Sequence, residues 1–391
     1  MSSKDFDLIV FGATSFTGKL VVEYLDNNYK DNISWALAGR NKEKLEAVKE
    51  QLSCDAPILI IDSESQNDIQ NALSKTKLVI TTVGPYQLYG NLLIEMCAKL
   101  GVDYVDLCGE PGWMYEMQKF IPETKKSGSR IVHSCGYDSI PSDLGVFYMQ
   151  NLAQEKFGES LKEIKCRVVS LKGEFSGGTL ASLKATMSKL KTNPDLFQVL
   201  INPFALCEGF KGADQPHGNK PYFDEITKEW VAPFFMAPIN TKNVHRSNLM
   251  LNFPYGEEFI YEEMIPAGKG DEGEKVAKAI ASHNPLGNAP KPGEGPSKEV
   301  RDAGYYEMLF LGLKDNEIKL KVSVKGQGDP GYSSTSKMIT ESALCLLNDC
   351  SNLEGGIYTT APAFGFKLIK RLEQNNVCLL YTSDAADDVH R

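Results

Sequence analysis

The chain is 391 residues long, with 42% hydrophobic and 24% charged residues, and reads as an ordinary globular protein with room for two domains. Its net charge of −9, unrelieved by any basic block or stripe, argues against a nucleic-acid partner. Nine scattered cysteines without a C-x-x-C pair, and five histidines in all, argue against a built metal centre, so no metal is expected.

In chain order, MSSKDFDLIVFG runs straight into a strand, so no signal peptide is expected. Reduced thiols in a cytoplasmic setting follow. Near-continuous apolar runs recur at Phe6–Phe11, Trp35–Ala38, Ile58–Ile61, Leu78–Val83, Tyr104–Leu107 and Ile131–His133. Such runs mark strands buried on both faces of a parallel sheet. Helical stretches separate them: Thr17–Tyr29, Asn41–Leu52, Asn67–Leu73, Gly90–Leu100 and Trp113–Lys125. The alternation predicts an α/β fold over residues 1–157, a Rossmann doubly wound parallel sheet of about six strands.

After Phe157 the pattern changes, and residues 158–328 are expected to form a second, smaller α/β (α+β) domain. Ile164–Leu171 alternates like a strand with one wet face, and Ala181–Leu190 reads as a helix. Residues 193–296 are rich in Pro and Gly; with Tyr222, Trp230, Phe234 and Phe235 looking exposed, they predict long loops over a smaller sheet. Tyr305–Leu313 and Glu317–Lys325 suggest an antiparallel pair joined by LKDNE. GDPGY then stops the strand, and residues 329–377 supply helices at Ser334–Leu347 and Ala363–Leu372. No stretch reaches the roughly 18 apolar residues that a membrane span requires. Val231–Met236 and Ile357–Phe366 are apolar enough to leave peripheral membrane or lipid contact open. Within residues 378–391, CLLYTSDAAD resembles the conceptual translation of a transposase adapter used in preparing DNA sequencing libraries. That tail is expected to be non-native, and no function is read from it.

The chemistry begins at FGATSFTGK. Gly12 follows the first strand and Gly18 opens the next helix, so Gly12, Thr14, Ser15, Phe16, Thr17 and Gly18 form a turn where backbone N–H groups and a helix N-terminus meet a pyrophosphate. A dinucleotide turn has glycine at its closest approach to the phosphates; here Ser15 stands there, small and carrying a hydroxyl. About twenty residues on, where an NAD site places Asp or Glu, the chain reads LAGRNKEK. Arg40, followed by Asn41 and Lys42, suits a 2′-phosphate, so the expected cofactor is NADP. Asp62, after the third strand, is a candidate for the adenine amino group or for a helix cap. Gly84 and Pro85, after the fourth, let the backbone pass close to the nicotinamide ribose.

Ligands of open parallel sheets sit beyond the carboxyl ends of the strands. Three such ends carry reactive residues: VGPYQLYG, VDLCGEPGW and HSCGYDSIPSD. Hydride reduction of a C=C or C=O requires a proton donor, and Tyr86, Glu110, Cys135 and Tyr137 are the chemically eligible candidates. Asp138 or Ser139 reads as a cap for the helix that Pro141 starts. The Tyr115–Lys119 pair matches a Tyr-x-x-x-Lys signature, but 16 tyrosines make such a match expected by chance.

The ordered series FGATSFTG, WALAGRNKEKL, TTVGPYQLYG, DYVDLCGEPGWM, CGYDSIPSDLG, SGGT and GDPGYSSTSKMITESALC resembles the saccharopine dehydrogenase-like oxidoreductases, in the branch of trans-acting enoyl reductases. The family's more usual turn has Gly where this chain has Ser15. The resemblance implies an NADP-binding Rossmann domain, a second domain bearing a homodimer contact and part of the substrate site, SGGT (176–179) near the cleft, and GDPGY returning the chain to the first domain. It implies an NADP(H)-dependent reductase acting on a small-molecule apolar, acyl or lipid-like substrate. A non-catalytic NADPH-binding, lipid-associated protein and a saccharopine-type amino-acid dehydrogenase stay open beside it.

Overall fold

The computed structural model describes residues 4–174, 177–193, 195–283, 293–377 and 379–384. The first 157 residues alternate strand and helix: β1 (Phe6–Phe11), α1 (Phe16–Tyr29), β2 (Trp35–Gly39), α2 (Lys42–Leu52), β3 (Ile58–Ile60), α3 (Gln66–Lys75) and β4 (Thr76–Thr81). There follow α4 (Tyr86–Tyr89), α5 (Asn91–Leu100), β5 (Asp103–Asp106), α6 (Pro111–Met117), α7 (Ile121–Ser127), β6 (Arg130–Val132) and α8 (Ile140–Phe157). Leu8, Ile9 and Val10, on alternate faces of β1, are all buried, as helices on both sides of the sheet require. The single helix expected over Trp113–Lys125 is broken by a 3₁₀ turn at Gln118–Phe120. Pro122 sits at the start of α7, and a proline ring there excludes the carbonyl four residues earlier from a continuous helix.

The second domain contains β7 (Glu163–Lys172), α9 (Gly177–Thr192), α10 (Leu196–Ile201), β8 (Tyr222–Asp224), β9 (Glu229–Pro233) and α11 (Ala237–Met250). It continues through β10 (Ile260–Gly268), α12 (Gly270–Ser282), α13 (Lys298–Asp302), β11 (Tyr305–Lys314) and β12 (Glu317–Gln327). Residues 193–296 are thus not mainly loop. Helix α11 escaped the pattern because its buried positions are largely polar: Asn240, Lys242, Asn243, His245, Arg246, Ser247 and Asn248. It lies between the domains, where fold-specific partners replace apolar contacts. Arg246 donates to the carbonyls of Leu206 at 2.5 Å and Ile357 at 2.9 Å, and Asn240 donates to Glu263 at 2.8 Å. Phe234, expected at the surface, is buried, while Phe235 beside it is 48% exposed.

After β12 a tight turn at Pro330–Ser334 leads into α14 (Thr335–Asn348), β13 (Gly356–Tyr358), α15 (Thr360–Phe364), α16 (Phe366–Gln374) and β14 (Leu379–Asp384). The first sheet has seven parallel strands in the order β13-β6-β5-β4-β1-β2-β3, and the second has the order β14-β12-β11-β7-β10-β9-β8. The second sheet is mixed: β7 and β10 run parallel, while β11 pairs antiparallel with both β7 and β12.

The seventh strand of the first sheet comes from the apolar segment that had left membrane contact open. Ile357, Ala361 and Phe364 are buried there in the core, and so are Val231 and Ala232 in the other such segment. Helix α8 joins the two layers. A Cβ on Gly145 would lie 2.6 Å from the Phe310 ring, so glycine permits this close approach of helix to sheet. No helix among the described residues is long and apolar enough to cross a membrane. Of the C-terminal tail, 379–384 pair with the edge of β12, whereas Cys378 and 385–391 lie outside the described residues.

Candidate cofactor and active site

Between β1 and α1 the backbone leaves no room for side chains. Gly12 has φ +89°, and a Cβ on it would lie 2.8 Å from both Thr82 Oγ1 and Val83 Cγ2. A Cβ on Gly18 would lie 2.1 Å from the Gly12 carbonyl oxygen. The strand end and the helix start therefore touch through backbone, the geometry that lets phosphate oxygens reach N–H groups. Ser15 caps α1: its Oγ accepts from the Gly18 N–H at 2.9 Å. Thr82 Oγ1 donates to the Gly12 carbonyl at 3.1 Å, so in the 2.9 Å pair of hydroxyls Ser15 is the donor. The Ser15 hydroxyl is thus committed within the turn rather than left over for the phosphate. The first-turn N–H groups of Phe16 and Thr17, which a helix start leaves unpaired, and the half-buried Thr14 remain available to a phosphate.

Phe16 closes the turn from the second domain's side, with its ring 5.1 Å from that of Tyr332 and the Arg301 guanidinium 5.5 Å above it. The GDPGY segment therefore does come back to the first domain. It is held in shape by Asp329, whose carboxylate accepts from the N–H groups of Tyr332 and Ser333.

At the end of β2 the three expected residues separate into different roles. Arg40 is exposed and forms no ion pair or hydrogen bond among the described residues, which leaves its guanidinium available to a 2′-phosphate. Asn41 caps α2, accepting from the Lys44 N–H at 2.9 Å. Lys42 lies 3.6 Å from Glu46 on the exposed face of that helix. Asp62, half-buried after β3, accepts from the Glu64 N–H at 3.0 Å, and the helix that follows is capped by Ser65 instead. Gly84 is exposed at the end of β4, and α9 borders it: a Cβ there would be 3.7 Å from Ser182 Oγ.

The ends of β5 and β6 are organised by Asp106, which is fully buried. Its Oδ1 accepts from the N–H groups of Cys108 at 2.9 Å and Ser134 at 3.0 Å. Its Oδ2 meets Tyr104 Oη at 3.0 Å and His133 Nδ1 at 2.7 Å. One carboxylate thereby ties together the two loops that carry the remaining candidates.

Those candidates are placed unevenly. Tyr86 turns inward rather than into the cleft, donating to the Thr81 carbonyl at 3.1 Å and accepting from the Leu107 N–H at 3.0 Å. Burial pushes its hydroxyl well above the usual tyrosine range. Glu110 accepts from the N–H groups of Tyr86 at 3.0 Å and Gln87 at 2.9 Å, fastening α4 to the β5 loop. Burial raises its carboxyl despite those bonds. The Cys135 thiol is fully buried, pushed up by that burial, and directed at the Val132 carbonyl. Tyr137 is buried with its ring 5.0 Å from Tyr306, and its N–H donates to Thr335 Oγ1. In SGGT, Ser176 and the Thr179 side chain lie outside the described residues.

Asp138, which the sequence suggested as a helix cap, has a different position. Ser139 is the N-cap residue of α8, and neither side chain makes a capping bond; the Ser139 hydroxyl instead accepts from Asn243 Nδ2 at 2.7 Å. The Asp138 carboxyl is half-buried against Gly109: a Cβ on that glycine would lie 2.9 Å from Oδ2 and 3.7 Å from Met236 Cε. Burial, with the nearby Asp106 charge, pushes this carboxyl up to about 7. Its place after a strand end was visible in the sequence, but its freedom from capping was not.

Residues 8–132 match the family model described as the saccharopine dehydrogenase NADP binding domain. A relative from Mycobacterium tuberculosis (strain ATCC 25618 / H37Rv), provisionally named a trans-acting enoyl reductase, is 35% identical over 412 residues, spanning 97% of this chain and 98% of its own. A trans-acting enoyl reductase of Mycobacterium ulcerans is 30% identical over 415 residues, spanning 97% of this chain and 99% of its own. In fold, the chain is similar to apo saccharopine dehydrogenase (L-Glu forming) from Saccharomyces cerevisiae, with a TM-score of 0.56 at 12% identity over 96% of this chain and 99% of that one. The glycine-lined turn and the unpaired Arg40 fit the NADP cofactor that the matched domain binds. With that domain at its start and these reductases alike along nearly its whole length, the chain belongs to the trans-acting enoyl reductase family and is an NADP-dependent oxidoreductase.

Proposed function

We propose that the protein reduces the carbon–carbon double bond of an apolar, enoyl-type acyl substrate. The observation that carries this reading is the apolar surface beside the ends of β4 and β5. Leu88 on α4, Met187 on α9 and Phe197 on α10 are 58%, 52% and 53% exposed, and Phe235 precedes the Met236 that touches the Asp138 site. These elements are fastened to one another at the cleft: Gln87 donates to Thr186 Oγ1 at 3.0 Å, and Leu196 packs 3.4 Å from the Cβ position of Gly112. Large side chains left exposed on neighbouring elements mark a surface for an apolar partner, here the acyl chain. The names of the enoyl reductases above support the same chemistry.

In this reading Gly12, the N-terminus of α1 and Thr14 hold the pyrophosphate, and Arg40 selects the 2′-phosphate. Gly84 and Pro85 border the nicotinamide ribose. Bound NADPH supplies the hydride. Glu110 and Tyr86 hold the loop geometry around the reacting carbons, while α9 and α10 shield them from water. The exposed Val169, Leu171 and Tyr305 of the second sheet support a homodimer formed through that domain. The exposed apolar rim supports contact with lipid at the protein's periphery.

The test is NADPH oxidation with trans-2-enoyl thioesters of increasing chain length. Each buried methylene is worth about 0.8 kcal/mol, so kcat/KM should climb about fourfold per carbon until the rim is covered. Oxidation without chain-length dependence would overturn the apolar assignment, and no oxidation with any enoyl substrate would overturn the reaction.

A further inference from the structure

We infer that the Asp138 carboxyl is the proton donor of the reduction, an assignment that rests on the enoyl reading above. The geometry singles it out from the other groups at the strand ends. Tyr86 has its hydroxyl proton committed to the Thr81 carbonyl, and both Glu110 oxygens are engaged by backbone N–H groups. Cys135 and Asp106 are fully enclosed, and Tyr137 is buried with its ring against Tyr306. Asp138 is partly buried, caps nothing, and forms no ion pair with Lys or Arg among the described residues. It stands at the carboxyl end of β6, on the side of the sheet where ligands of this architecture bind.

Two features prepare the site for an acid. Gly109 supplies the space the carboxyl occupies, since a side chain there would collide with Oδ2. Met236, from the start of the interdomain segment, closes the same spot with a methyl group, so one wall of the acid is apolar. The titratable groups shown to act on it lie on the β5 side, the Asp106 carboxylate and the Cys108 thiol, and neither is a cation. Low polarity and neighbouring negative charge both favour the protonated form, which raises the carboxyl to about 7. A group titrating there is matched to proton transfer at neutral pH.

The step balances as follows. The β-carbon of the enoyl group takes a hydride, and the electron pair of the C=C bond moves onto the α-carbon and carbonyl oxygen as an enolate. A new C–H bond then forms at the α-carbon from the Asp138 O–H, leaving Asp138 as carboxylate. Solvent then returns the proton to Asp138. NADPH leaves as NADP⁺ and the acyl chain as its saturated form.

Asp138→Asn removes the proton and keeps the shape. Turnover should fall about 10²- to 10⁴-fold, with NADPH affinity unchanged as the check that the fold is intact. Because the acid form is required, wild-type kcat should decline as pH rises through about 7, and this limb should be lost in the variant. Asp138→Glu should recover part of the rate. A readout independent of turnover is infrared titration of the cofactor-free protein: a protonated carboxyl band lost near pH 7 in wild type should be missing in Asp138→Asn. Gly109→Ala should displace the carboxyl and lower turnover while NADPH still binds. If Asp138→Asn keeps the wild-type rate and pH profile on an enoyl substrate that wild type reduces, the assignment is overturned. If wild type itself reduces no enoyl substrate while the infrared band titrates as expected, it is the reaction assignment that fails.

Discussion

The two ends of the cleft are built in different ways. At the cofactor end, Gly12, Ser15, Gly18 and Arg40 lie within 29 residues of one another, and two helix caps there are local, Ser15 to Gly18 and Asn41 to Lys44, beside the longer-range Thr82 bonds. At the other end, the loops after β5 and β6 are fastened by Asp106, and the surroundings come from α9, Met236 and Asn243, the last two roughly a hundred residues or more away in the chain. A turn made of backbone, with a cation that has no partner among the described residues, is written into a short stretch of chain. A site made of buried carboxyls depends on what distant elements bring to cover them.

Three substitutions sharpen that contrast. The largest effect is expected at Asp106, where Asp106→Ala leaves two buried N–H groups, the Tyr104 hydroxyl and His133 without their acceptor. Unpaired buried donors of this kind cost on the order of 3–5 kcal/mol in total, to be read by urea denaturation. A loss below about 1 kcal/mol would mean that the substrate end is not organised by this residue.

Next, Arg40→Ala should weaken NADPH binding about 10- to 100-fold and leave NADH nearly unaffected, because a charge-assisted hydrogen bond to phosphate is worth about 1.5–3 kcal/mol. Fluorescence titration with both cofactors measures it. Equal losses for the two would remove Arg40 from the 2′-phosphate.

The smallest effect is expected at Ser15. Ser15→Gly gives up a cap at a cost of only a few tenths of a kcal/mol, and NADPH affinity should stay within a few-fold. A collapse of affinity in the same titration would show the hydroxyl reaching the phosphate despite its bonds to Gly18 and Thr82.

The legible parts of the fold share a physical cause. Strands β1, β2, β4 and β5 are largely buried on both faces, so their apolar runs stand out from any neighbour. The β11–β12 hairpin showed through alternation, since one face packs on α8. Helix α11 did not show, because its buried side chains are Asn, Lys, His and Arg satisfied by partners such as Leu206, Ile357 and Glu263. The same blindness affected the site. Asp138 read as a cap because an acid before a proline-started helix usually is one; only its packing against Gly109 and Met236 distinguishes it. Tyr86 read as a cleft residue because nothing local reveals that Thr81 and Leu107 claim its hydroxyl.

By itself the sequence determined the parallel sheet and the glycine-lined turn after its first strand, since these rest on short-range periodicity and glycine spacing. Only the tertiary structure decided that Gly356–Tyr358 completes the first sheet, that a polar helix lies between the domains, and which strand-end carboxyl is left uncapped beside Gly109. Each of those outcomes depends on hydrogen-bond partners and packing contacts far apart in the chain, and burial reverses what a polar side chain signals when read alone.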